Sequence, residues 1–135
     1  PGSENGCVIF VKLWQFQPDD RTHVRLQTNL MQSTAHPSFK NVAVTPLYKD
    51  DFEDVSLLDF KPNACMVISA KGGAELLVLE GSFDEQADTL VKNSWLRVPI
   101  NSSVNVKAGS NGAKVWLKTG HLTDVEKQIS RVQNA

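Results

Sequence analysis

Apolar residues come in short runs separated by turn residues along most of this chain. Runs rich in Val, Ile, Leu, Phe and Trp cover 7–13, 24–28, 42–47, 55–60, 64–68, 75–83, 94–98, 104–107 and 113–118. Between them stand Asn5-Gly6, Lys61-Pro62-Asn63, Lys71-Gly72-Gly73, Pro99-Ile100-Asn101 and Gly109-Ser110-Asn111-Gly112. β-branched and aromatic runs punctuated in this way predict strands joined by tight turns. So many in succession predict an all-β sandwich or barrel, not alternating strand–helix units.

The period changes near the end. Thr123 is a candidate N-cap, with Glu126 three residues on completing a capping box. Val125, Ile129 and Val132 then recur at helical spacing. Residues 122–133 are therefore predicted to form a short C-terminal α-helix docked on the barrel, with an oligomer contact as the alternative. The chain also repeats itself. Asn5-Gly6-Cys7-Val8-Ile9-Phe10-Val11-Lys12 resembles Asn111-Gly112-Ala113-Lys114-Val115-Trp116-Leu117-Lys118 in turn, length and apolar placement. A first strand that mirrors the last suggests that residues 1–16 derive from a preceding tandem unit. The alternative is chance likeness between two Asn-Gly hairpin strands.

A length of 135 residues suits one core, so residues 1–135 are expected to be a single domain. The formal net charge is −1, and the lysines and arginines are interspersed with acids, as in Asp19-Asp20-Arg21. That pattern gives no basic face for nucleic acid. No apolar run approaches the roughly 20 residues that span a bilayer, and runs such as Leu76-Leu77-Val78-Leu79 are strand-sized. The start, Pro1-Gly2-Ser3, has no charged-then-apolar leader, so a cytoplasmic location is the default expectation. Cys7 and Cys65 sit inside apolar runs, as buried thiols usually do, with no pattern supporting a disulfide.

Three segments carry a family resemblance: Glu75-Leu76-Leu77-Val78-Leu79-Glu80-Gly81, Asn93-Ser94-Trp95-Leu96-Arg97-Val98-Pro99, and Val115-Trp116-Leu117-Lys118-Thr119-Gly120-His121-Leu122. The stretch 55–122 resembles the cupin superfamily, and within it the ChrR-type cupin domains of anti-sigma factors and dioxygenase-like proteins. The opening Phe10-Val11-Lys12-Leu13, followed by Pro18-Asp19-Asp20-Arg21, resembles the seam between the barrels of tandem members. The resemblance implies a double-stranded β-helix, or jelly-roll, barrel. It also implies a metal held by His-x-His, a following Glu and a last His. Alternate strand residues share a face, so His-x-His would aim two imidazoles into the barrel mouth. Such a shell suits Fe, Mn, Ni, Cu or Zn.

Laid on that pattern, the two His positions fall on Ile68 and Ala70, the Glu position on Ala74 and the last His on Val104. The terminal Asn position of the second motif falls on Ala108. The spacing is kept while every ligand position holds a hydrocarbon. A one-residue slip would recruit Glu75, yet no histidine lies between residues 37 and 120. Neither a metal nor any other cofactor is therefore expected. Asn63, Asn93 and Asn101 stand where the family prefers Gly, and Asn is the residue best able to keep a positive-φ turn.

Little else carries chemistry. His23, His36 and His121 share no motif and are expected on the surface or in loops. There is no Gly-x-Ser-x-Gly elbow, Cys/His pair or phosphate loop. Glu75 alone is an acid within an apolar strand, a place where a raised pKa would mark function, although inward-facing Ala74 and Leu76 would turn it outward. Three function classes remain, with an enzyme the least favoured. The first is a binding module for a small, largely apolar organic ligand in a mouth lined by Met66, Ile68, Ala70, Ala74, Leu76 and Val104. The second is a structural or regulatory domain that forms a homodimer or contacts a protein partner. The third is a cupin enzyme with a non-standard site. Neither nucleic acid nor membrane is an expected partner.

Overall fold

Alternation decides which side of each strand is buried, and one strand displays it residue by residue. In Cys65–Ala70, the side chains of Met66, Ile68 and Ala70 are buried while Cys65, Val67 and Ser69 are exposed. The computed structural model describes residues 2–12 and 19–133. Its strands are β1 (Thr34–Ala35), β2 (Val42–Lys49), β3 (Asp54–Phe60), β4 (Cys65–Ala70), β5 (Ala74–Glu85), β6 (Asp88–Val91), β7 (Trp95–Val98) and β8 (Ser102–Thr119). A helix, α1 (Val125–Gln133), follows them.

All pairings are antiparallel, in the order β1-β2-β3-β8-β5-β6, with β4 added to β8 and β7 to β5. Two long strands roll the sheet up. β8 pairs with β4 through its first half and with β3 through its second, and β5 pairs with β7 and then β6. Inward-facing residues from seven of the strands meet in one core that includes Leu58, Met66, Ile68, Leu76, Val78, Phe83, Val104 and Val115. Each such apolar side chain removed from water contributes about 1.5–3 kcal/mol before the entropy of ordering is charged against it.

β8 corrects an expectation. The glycine-rich stretch 109–112 was predicted to be a turn between two strands, yet β8 runs through it for 18 residues. The ladder to β5 steps from Gly81↔Ala113 to Phe83↔Ala108, so β8 carries the extra residues as an irregularity at the corner. Gly81 and Gly112 have φ of 69° and 75°, and a Cβ on Gly81 would run into the carbonyl oxygen of Gly112. The glycines thus mark a bend within a strand. Asn63, Asn93 and Asn101 have φ of 59°, 69° and 59°, as their places in the turns required.

Two predicted strands do not form. Residues 7–12 do not form a strand, and Leu13 lies outside the described residues. Residues 21–30 are exposed throughout, so the alternation of Val24 and Leu26 has no face to cover, and the segment ends in a 3-10 turn at Thr28–Leu30. Instead, the short β1 and β6 appear where sequence pattern gave no signal. The expected capping box is absent too. The Thr123 hydroxyl donates to the Gly120 carbonyl at 2.8 Å. Ile129 is half-exposed, so the apolar stripe is only partly docked, and the Val132 side chain lies outside the described set. Among the described residues, no helix is long and apolar enough to cross a membrane.

Candidate functional site

The inner face brings all six sequence-predicted ligand-site residues together. Ile68 and Val104 are direct cross-strand partners, Ala70 and Ala74 flank the turn from β4 to β5, and Leu76 and Met66 continue the same face. Ala70, Ala74 and Val104 have 0% of their surface accessible, Leu76 has 1%, Ile68 3% and Met66 8%. A side chain with no accessible surface borders no space that admits water. The four positions corresponding to the family's metal ligands, Ile68, Ala70, Ala74 and Val104, belong to this packed cluster. Hydrocarbon side chains have no lone pair to donate, so they do not fit a metal ion. Among the described residues, no three of His, Cys, Asp and Glu come together elsewhere.

The outer face has an order of its own. Register sets Leu57, Trp116, Leu77 and Trp95 in one row across β3, β8, β5 and β7. The next row on that face is Val55, Lys118, Glu75 and Arg97. Phe10 and Lys12, from the N-terminal segment, lie over these rows. Phe10 packs edge-on against Trp116 with ring centroids 5.1 Å apart, and the Lys12 ammonium donates to Glu75 Oε2. Phe10 and Lys12 thus face the barrel, while Ile9 and Val11 between and beside them stay exposed.

Glu75 points outward, as Ala74 and Leu76 required, and is nonetheless only 4% exposed. Beyond Lys12 it faces His121 Nε2, 3.2 Å from Oε1, and Arg97 Nε, 4.0 Å from the same oxygen. Beside it, buried Lys118 pairs with Glu53. Burial is the largest influence on the Glu75 carboxyl and raises its pKa. The contacts with His121 and Lys12 together outweigh that effect and bring it from 4.5 to about 2. The raised value that would mark a general acid is therefore not found, and Glu75 is held as a carboxylate.

Other expectations are corrected alongside it. The His121 side chain is 9% exposed and packed on Glu75, because the turn after β8 folds it back onto the outer face. His23 is exposed, and His36 accepts the Ser38 N–H at Nδ1 over 3.1 Å. Cys7 and Cys65 are free and exposed; Cys65 takes an outward position of β4, and Cys7 sits on the uncovered N-terminal segment. Sequence reasoning missed the cluster around Glu75, whose members come from residues 12, 75, 97 and 121. Its one signal was an acid on the polar side of an apolar strand.

Known structures resemble this arrangement. A protein of unknown function with a cupin-like fold from Ralstonia eutropha superposes with a TM-score of 0.65 at 12% identity, over 84% of this chain and 89% of that one. The cupin domain of Schizosaccharomyces pombe Cnp3 gives 0.60 at 16% identity, over 80% of each chain. The Rhodobacter sphaeroides complex of SigE with the anti-sigma ChrR gives 0.57 at 14% identity, over 68% of this chain and 49% of that one. The fold is a cupin barrel. At these identities the likeness concerns architecture alone. Neither a family model nor a curated protein matches the sequence at a significant level. As a cupin barrel, this one combines a packed mouth with a layered outer face.

Proposed function

We propose that this cupin barrel works without a metal, as an interaction module that associates with a second copy of itself through its outer face. The observation that carries this is the N-terminal segment. Val8, Ile9 and Val11 are 93%, 70% and 64% exposed, and among the described residues the backbone of 7–11 makes no hydrogen bond. An extended, β-prone, apolar segment with open backbone groups is a template for pairing with another chain. Two such segments can pair across a two-fold axis, each presenting the same residues to the other. An apolar ligand among Met66, Ile68, Ala70, Ala74, Leu76 and Val104 fits this packing less well, since those side chains would first have to move apart. The ChrR complex adds support of a general kind, since a protein about half of whose length shares this fold is found in complex with a protein partner.

Sedimentation velocity between about 1 and about 100 µM tests the proposal. A dimer that dissociates on dilution is expected, with Ile9→Asp shifting the protein to monomer while its circular dichroism is unchanged. A wild-type monomer at the highest concentration, or an unaltered dimer in I9D, would refute self-association through this segment.

A further inference from the structure

Asn5-Gly6 and Asn111-Gly112 share a dipeptide and differ in surroundings. An asparagine side-chain amide can be attacked by the backbone nitrogen of the next residue where the backbone turns freely. Glycine favours this, since it shields that nitrogen with no Cβ and opens the range of φ and ψ. Asn5 and Gly6 are both exposed, and Gly6 has φ of 74°. No described residue other than its chain neighbours comes within 4 Å of where a Gly6 Cβ would stand. The Ser3 hydroxyl donates to the Gly6 carbonyl at 2.7 Å. Neither the Gly6 N–H nor the Asn5 side-chain amide makes a hydrogen bond among the described residues.

Gly112, by contrast, is buried within β8. A Cβ there would lie 2.4 Å from the Phe60 carbonyl oxygen, and its own carbonyl lies against Gly81. The next residue, Ala113, is in register with Phe60 of β3 and Gly81 of β5. Turning the Gly112 nitrogen towards the Asn111 side chain therefore requires this part of the ladder to open first.

We propose that Asn5 is a deamidation site in the folded protein, and that the bend in β8 holds Asn111 unreactive. The Gly6 nitrogen gives up its proton to solvent and bonds to Asn5 Cγ. The side-chain nitrogen leaves as ammonia, and a five-membered succinimide remains. Water then opens the ring. Breaking the Cγ–N bond gives an aspartate, and breaking the bond to the backbone carbonyl carbon gives an isoaspartate. Either product adds one negative charge, two residues before Cys7, to a chain whose formal net charge is −1.

The test is incubation of the whole chain at body temperature and mildly alkaline pH, natively and in guanidinium chloride. Peptide mapping by mass spectrometry then follows both sites, with fragmentation that separates aspartate from isoaspartate. In the native protein both products should accumulate at residue 5, and Asn111 should react roughly tenfold or more slowly. In denaturant the two sites should react at similar rates. Asn5→Gln should abolish the acidic variant that ion exchange resolves from aged native protein. An intact Asn5, equal native rates at the two sites, or an Asn111 that stays slow after unfolding would overturn the proposal.

Discussion

Glu75→Gln removes one charge and almost no volume, which makes it the sharpest probe of the outer face. A carboxyl whose pKa lies at about 2 in the folded chain and 4.5 otherwise contributes about 3 kcal/mol of stability when ionised. The Lys12 side chain is a quarter exposed, so its stranded charge can partly rehydrate, and the expected loss in E75Q at neutral pH is about 2–3 kcal/mol. For a chain of this size that lowers Tm by about 6–10 °C. The folded pKa is depressed, so the contribution is fully present above about pH 4.5 and is lost as pH falls towards 2. Urea denaturation followed by circular dichroism at pH 7, 5, 3 and 2 should therefore show the gap between wild type and E75Q closing over the acid range. A gap below about 0.5 kcal/mol at pH 7, or one independent of pH, would refute the reasoning. A double-mutant cycle with Lys12→Met should return a coupling energy of about 1–3 kcal/mol.

Three further outcomes follow from the packing. Gly81→Ala forces a Cβ into the Gly112 carbonyl at a left-handed φ, so it should destabilise by more than about 3 kcal/mol or prevent soluble expression; a normal urea midpoint would contradict this close approach of β5 to the bend in β8. Asn101 has φ of 59°, so Asn101→Gly should be close to neutral while Asn101→Ala costs about 1 kcal/mol, both read from thermal melts. Leu58, fully buried, should cost about 2–5 kcal/mol on replacement by Ala, measured by urea denaturation.

What could be read from sequence was whatever rests on neighbours in the chain. The family's motif spacing, read with the rule that alternate strand residues share a face, picked out Ile68, Ala70, Ala74 and Val104 as inner-face positions, and the asparagines at 63, 93 and 101 announced left-handed turns, because both depend on near neighbours in the chain. Gly109 to Gly112 misled for an equally local reason: glycine and asparagine signal a departure from regular backbone, and a corner within a strand uses the same residues as a hairpin. The strands predicted at 7–13 and 24–28 have suitable residues, but strand formation needs a free neighbouring edge. β8, the element that residues 5–12 resemble, is already flanked by β3 and β5. The Glu75 cluster was hidden because Lys12 lies 63 residues away in sequence, and no pattern along β5 records what covers its outer side. The outward direction of Glu75 could be inferred, and its burial could not.

The packed interior is tested most directly by elemental analysis of purified protein never exposed to chelator. Zn, Fe, Mn, Ni and Cu should each fall below about a tenth of an equivalent per chain, since Ile68, Ala70, Ala74 and Val104 offer no donor atoms. A near-stoichiometric content of any one of them would contradict a metal-free barrel.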